Sequence, residues 1–102
     1  MKAVKQTIML VDDSVDNLTL LSEILKPQYD ILTATDGLKA LQLLQTSKRP
    51  DLILLDIIMP GMDGFEVCRR LKDNHQTAEI PVIFITGLIE REQIIRGFET
   101  GA

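Results

Sequence analysis

Ile8-Met9-Leu10-Val11 is an unbroken apolar run that ends abruptly in Asp12-Asp13. Apolar residues at every position, rather than at alternate ones, predict a strand buried on both faces, the parallel-sheet type. Ser14 is placed to cap a helix whose apolar side is Leu18, Leu21 and Leu25, with Val15 at its start, and Pro27 ends it. Tyr29 to Ala34 reads as a weaker strand, and Asp36-Gly37 as a turn. Leu38, Leu41 and Leu44 form a second stripe at helical spacing, broken by Arg49-Pro50. Leu52-Ile53-Leu54-Leu55 is the next buried strand, and it too runs straight into an acid, Asp56.

After Asp56 comes Met59-Pro60-Gly61-Met62-Asp63-Gly64, a loop dense in turn residues. Asp63, with Glu66 three residues on, is placed to cap a third helix carrying Phe65, Cys68 and Leu71. Asn74 to Glu79 is a polar connection. Val82-Ile83-Phe84-Ile85 is a fourth strand, opened by Pro81 and closed by Thr86-Gly87. Ile94, Ile95 and Phe98 predict a short fourth helix before the chain stops at Gly101-Ala102. Strands and helices alternate throughout. This pattern predicts an α/β fold: a doubly wound parallel sheet with right-handed crossovers and helices on both faces. In such sheets the site lies beyond the carboxyl ends of the strands.

Length and charge narrow the picture. The 102 residues suit one domain, and a 45% apolar content argues against disorder. The net charge of −4 gives no electrostatic reason for a direct nucleic-acid or anionic-membrane partner. No apolar run is long enough for a membrane helix, and Lys2 and Lys5 are not followed by a signal-peptide core. Cys68 is the only cysteine, so no internal disulfide forms; a reducing cytoplasm is the expected location.

The chemistry gathers at the strand ends: Asp12-Asp13, Asp56 and Thr86. A single Asp there is explained by its preference for turns. A pair and a third, each directly following an apolar run of four, is a stronger pattern. Three carboxylates in one cleft repel one another unless a cation lies between them, and hard oxygen ligands suit Mg²⁺. An aspartate is also a nucleophile toward phosphorus, forming an acyl phosphate. Thr86 offers a hydroxyl to such a phosphate.

Three stretches resemble the receiver domains of two-component response regulators: Leu10-Val11-Asp12-Asp13 with Asn17 soon after, Asp51 through Gly64, and Pro81 through Gly87. The resemblance implies a flavodoxin-like sheet of order 2-1-3-4, one receiver domain over residues 1–102, and Asp56 as phosphoacceptor. Asp13, Asp56 and the backbone carbonyl of Ile58 would ligate Mg²⁺, with Asp12 acting mainly through water. Thr86 would be the switch hydroxyl. The donor would be a sensor histidine kinase or a phosphotransfer protein, and the domain a signalling module rather than an enzyme.

The family pattern continues past Gly101-Ala102 into a fifth strand, a lysine and a fifth helix, so a C-terminally incomplete receiver is expected. Its fourth-strand edge would then pair with a second copy as a homodimer, and its phosphorylation would be slow while Mg²⁺ binding partly survives. A pseudo-receiver or binding module that never carries phosphate is the alternative reading. An Mg²⁺-dependent phosphohydrolase would need an acid two residues after Asp56, where Ile58 stands. His75 and Lys72 read as solvated surface groups, and Cys68 as a core thiol. Met59 and Met62 read as packing residues, and Glu90-Arg91-Glu92 as an exposed helix start.

Overall fold

The computed structural model describes residues 5–46 and 49–85. Thr86, the Glu90-Arg91-Glu92 stretch and the predicted fourth helix lie outside the described residues. Within them the order is β1 (Thr7–Val11), α1 (Val15–Leu25), β2 (Asp30–Ala34), α2 (Gly37–Thr46), β3 (Leu52–Asp56), α3 (Gly64–Asp73) and β4 (Val82–Ile85). The strands form one parallel sheet of order β2-β1-β3-β4, the predicted arrangement. No helix of the described residues is long and apolar enough to cross a membrane.

Successive side chains of a strand point to opposite faces. Here they feed two cores. Met9 and Val11 of β1 join Ile53 and Leu55 of β3, Val82 of β4, and Ala40, Val67, Cys68 and Leu71 of α2 and α3. Ile8 and Leu10 turn the other way, onto Leu18, Leu21 and Leu25 of α1, with Ile31, Leu52 and Leu54 packed around them. Every residue of β1 is buried, as a strand covered on both faces requires. Each large side chain buried there contributes roughly 1.5–3 kcal/mol. Phe65 of α3 meets Phe84 of β4 edge to face, with ring centroids 5.2 Å apart.

Local chemistry sets the helix boundaries. The Ser14 hydroxyl accepts from the Asn17 N–H at 3.2 Å, and Asp63 caps α3 by accepting from the Glu66 N–H at 2.9 Å. Glu66 does not reach back to complete a capping box. Its carboxylate pairs with Arg69 and Arg70 one turn on.

Three expectations are corrected. Leu38 is 56% exposed. It lies in the first turn of α2 on the solvent side, and the inward stripe is Ala40, Leu41, Leu43 and Leu44. Tyr29 precedes β2: its N–H bonds back to the Leu25 carbonyl at 3.0 Å, in the turn that follows α1. Lys72 is not a solvated charge. Its ammonium donates to the carbonyls of Ala78 at 3.0 Å and Ile80 at 2.9 Å, tying the α3–β4 connection to α3. The thiol of Cys68 is buried in the core as expected, and burial pushes its pKa up.

Candidate functional site

β1 and β3 pair in parallel with Val11 opposite Leu55, so the residues that follow, Asp12 and Asp56, emerge side by side. Asp13 comes next on the same edge. One carboxylate oxygen from each of Asp12, Asp13 and Asp56 lies within 4.8 Å of the others. Asp12 and Asp56 are buried, whereas Asp13 is exposed. Far-separated acids therefore converge at the carboxyl edge of the sheet, as their strand-end positions predict.

The three acids are held differently. The main chain of Asp12 continues the sheet, its N–H donating to the Ala34 carbonyl at 3.1 Å. Its carboxylate faces the start of α1. Oδ1 accepts from the Ser14 N–H at 2.9 Å, and Oδ2 accepts from the Asn17 side-chain amide at 3.2 Å. Asp56 is pushed up to a pKa of about 6. Burial is the main cause, followed by the negative charge of Asp12, with that of Asp13 a smaller contribution. A hydrogen bond from the Ile58 backbone works in the opposite direction.

The loop after Asp56 is built to come close. The Gly64 N–H donates to the Ile57 carbonyl at 2.9 Å and closes the loop onto the strand end. A Cβ at Gly64 would run into the Asp56 carbonyl and come within 2.9 Å of Ile57 Cα, so glycine is what this approach allows. Gly61 turns the loop with φ 75°, in the left-handed region. Met59 is buried against the core and anchors the loop, while Ile58 beside it is 51% exposed.

Thr86 lies outside the described residues, but Ile85 just before it pairs with Asp56 in the β3–β4 register. His75 is exposed and belongs to the α3–β4 connection, and Cys68 belongs to the core. Neither joins the acids. Among the described residues the donor set is thus oxygen only, which fits a hard divalent cation and not a thiophilic one. Burial and, after it, the charges of Asp12 and Asp13 raise Asp56, and a bound cation would offset both. Asn17 is marked in the sequence only by its place soon after Asp12-Asp13, with no role attached. Its contact with Asp12 follows from the Ser14 cap, which starts the helix and turns its third residue back toward the strand end.

The family model of the response regulator receiver domain matches residues 8–102. The chain is 49% identical over 96 residues to the response regulator PleD of Caulobacter vibrioides, covering 93% of the chain and 21% of PleD. It therefore spans about a fifth of the length of that relative. Among solved structures, the phosphorylated cyanobacterial phytochrome response regulator RcpA superposes with a TM-score of 0.87 at 29% identity. That match covers 96% of this chain and 76% of RcpA. The Mn²⁺-bound form of response regulator Rcp1 gives 0.85 at 34% identity, over 94% of this chain and 76% of Rcp1.

Proposed function

Because this chain belongs to the response regulator receiver domains, we propose that it is the phosphoacceptor switch of a two-component phosphorelay, with Asp56 taking the phosphoryl group. The observation that carries this reading is the placement of Asp56 against Asp12 and Asp13 at the carboxyl edge of the sheet. Such a carboxylate is a nucleophile for phosphorus when its charge is balanced. One Asp56 oxygen attacks, a P–O bond forms, and the P–N bond of a donor phosphohistidine breaks. The electron pair leaves with the imidazole nitrogen.

Asp13 and Asp56 would hold Mg²⁺, with the Ile58 carbonyl as a third ligand and Asp12 acting through water. The cation, when bound, would neutralise the phosphoryl oxygens and align them for attack. The manganese form of Rcp1 and the phosphorylated form of RcpA support this reading by likeness. The donor is a sensor histidine kinase or phosphotransfer protein, and the domain is a cytoplasmic signalling module rather than an enzyme. Thr86 is the hydroxyl that turns toward the phosphate.

Ile58 separates this reading from a phosphohydrolase. It occupies the position where an acid/base would be needed, and it is apolar and half-exposed. Incubation with a histidine-phosphorylated phosphotransfer protein and Mg²⁺ tests the assignment. The wild-type protein should take up label that hydroxylamine and base release, as from an acyl phosphate, and Asp56→Asn should take up none. Equal labelling of Asp56→Asn would overturn it.

A further inference from the structure

We propose that Asn17 is a positioning residue for the metal site, acting through Asp12. This rests on the reading of the three aspartates as a Mg²⁺ site. Both oxygens of Asp12 are engaged from the α1 side, Oδ1 by the Ser14 N–H at 2.9 Å and Oδ2 by the Asn17 amide at 3.2 Å. The backbone N–H fixes one oxygen. The second oxygen depends on a side chain, so the plane of the carboxylate is set by Asn17.

Asn17 is itself held in place. Its own N–H donates to the Ser14 hydroxyl at 3.2 Å, which places it in the capped first turn of α1. Asp12, Ser14 and Asn17 thus close a small ring of hydrogen bonds across the strand–helix junction. Every hydrogen bond in the ring is local, so it forms whenever α1 starts at Val15.

The residue type matters as much as the contact. A lysine or arginine at this position would orient Asp12 but cancel its charge. An aspartate or glutamate would add a fourth negative group and supply no donor. An asparagine amide orients the carboxylate and leaves its full charge for a cation. Each engaged oxygen keeps one further lone-pair direction, so Asp12 stays able to accept from a metal-bound water. Partners of this outer kind fix ligand geometry, and their loss typically costs 10–100-fold in metal affinity.

The test is a Mg²⁺ titration of the wild-type protein and of Asn17→Ala, Asp12→Ala and the double variant, read by amide NMR shifts, which register weak binding. Melting in EDTA shows that each variant is folded. Asn17→Ala should bind Mg²⁺ roughly tenfold more weakly than wild type. In the Asp12→Ala background the same substitution should change affinity by less than about twofold, because the residue it acts through is gone. Unchanged affinity in Asn17→Ala, with wild type binding Mg²⁺, overturns the role of Asn17 alone. An equal loss in both backgrounds overturns action through Asp12. Failure of the wild-type protein to bind Mg²⁺ overturns the metal-site reading and this inference with it.

Discussion

Asp12 and Asp56 stand next to each other at the ends of neighbouring parallel strands, although 44 positions separate them in the sequence. The register places them there, and the register is set by burial. Slipping β1 by one residue against β3 would turn Met9 and Val11 away from the α2–α3 core and onto the α1 side, where Ile8 and Leu10 pack against Leu18. The hydrophobic pattern that builds the sheet therefore also aligns the acids.

Burial of Asp56, with Asp12 beside it, has a measurable cost in the metal-free protein. Asp56 has its folded pKa raised from 3.8 to about 6. A raised carboxyl pKa contributes stability that is present in full below the unfolded value and is lost as pH rises through the folded one. Replacement of Asp56 by Asn should therefore raise metal-free stability at pH 7 by about 1–3 kcal/mol. The gain should vanish below about pH 3, where the carboxyl is protonated in both states. Denaturant melts in EDTA across this pH range check it. A gain of the same size at both ends would show that the benefit is not electrostatic.

Gly64 should tolerate no side chain. In Gly64→Ala the new methyl meets the Asp56 main chain, which must shift. A loss of about 1–3 kcal/mol is expected, together with weaker Mg²⁺ binding, because the displaced atoms carry the Asp56 carboxylate. Stability and Mg²⁺ affinity measured on the same variant would test both. A neutral outcome would contradict the packing seen here.

Lys72 provides a contrast. Lys72→Met keeps the aliphatic stem and removes the ammonium that bonds to Ala78 and Ile80. Loss of these charge-assisted bonds should cost about 1–2 kcal/mol. Mg²⁺ affinity should stay at the wild-type value, since α3 ends far from the acids along the sheet. Chemical denaturation of the variant, with a Mg²⁺ titration beside it, provides the check.

Ile58 bears on how long a phosphoryl group would last. It is apolar and half-exposed, and its backbone hydrogen-bonds Asp56. A polar group at this point would orient an attacking water where isoleucine only obstructs it. Ile58→Asn should speed decay of the phosphorylated form roughly tenfold, about 1.4 kcal/mol in the barrier. The decay rate of the labelled protein reads this directly, and an unchanged rate would contradict it.

Much of this architecture is legible in the sequence, for physical reasons. Runs such as Ile8 to Val11 and Leu52 to Leu55 are apolar at every position, and both are strands covered by helices. Asp12, Asp13 and Asp56 stand out because each interrupts such a pattern. The misread residues are those whose surroundings come from tertiary structure. Leu38 has the right spacing for the core, yet the first turn of α2 leaves it in solvent. Lys72 resembles any helix-surface lysine, and only the path of the α3–β4 connection brings two carbonyls to its ammonium. Asn17 stands out in the sequence, but its role does not, because its partner, Asp12, lies across the strand–helix junction.

The central claim is that Asp56 is the residue that carries phosphate, and trapping the acyl phosphate tests it most directly. The full-length protein is incubated with a small-molecule phosphodonor and Mg²⁺, reduced with borohydride, and mapped by peptide mass spectrometry. Reduction converts a phosphorylated aspartate to homoserine. The account predicts homoserine at position 56 alone, dependent on Mg²⁺ and abolished by EDTA. Homoserine at Asp12 or Asp13 with Asp56 untouched, or no conversion at all in a folded protein that binds Mg²⁺, would contradict it.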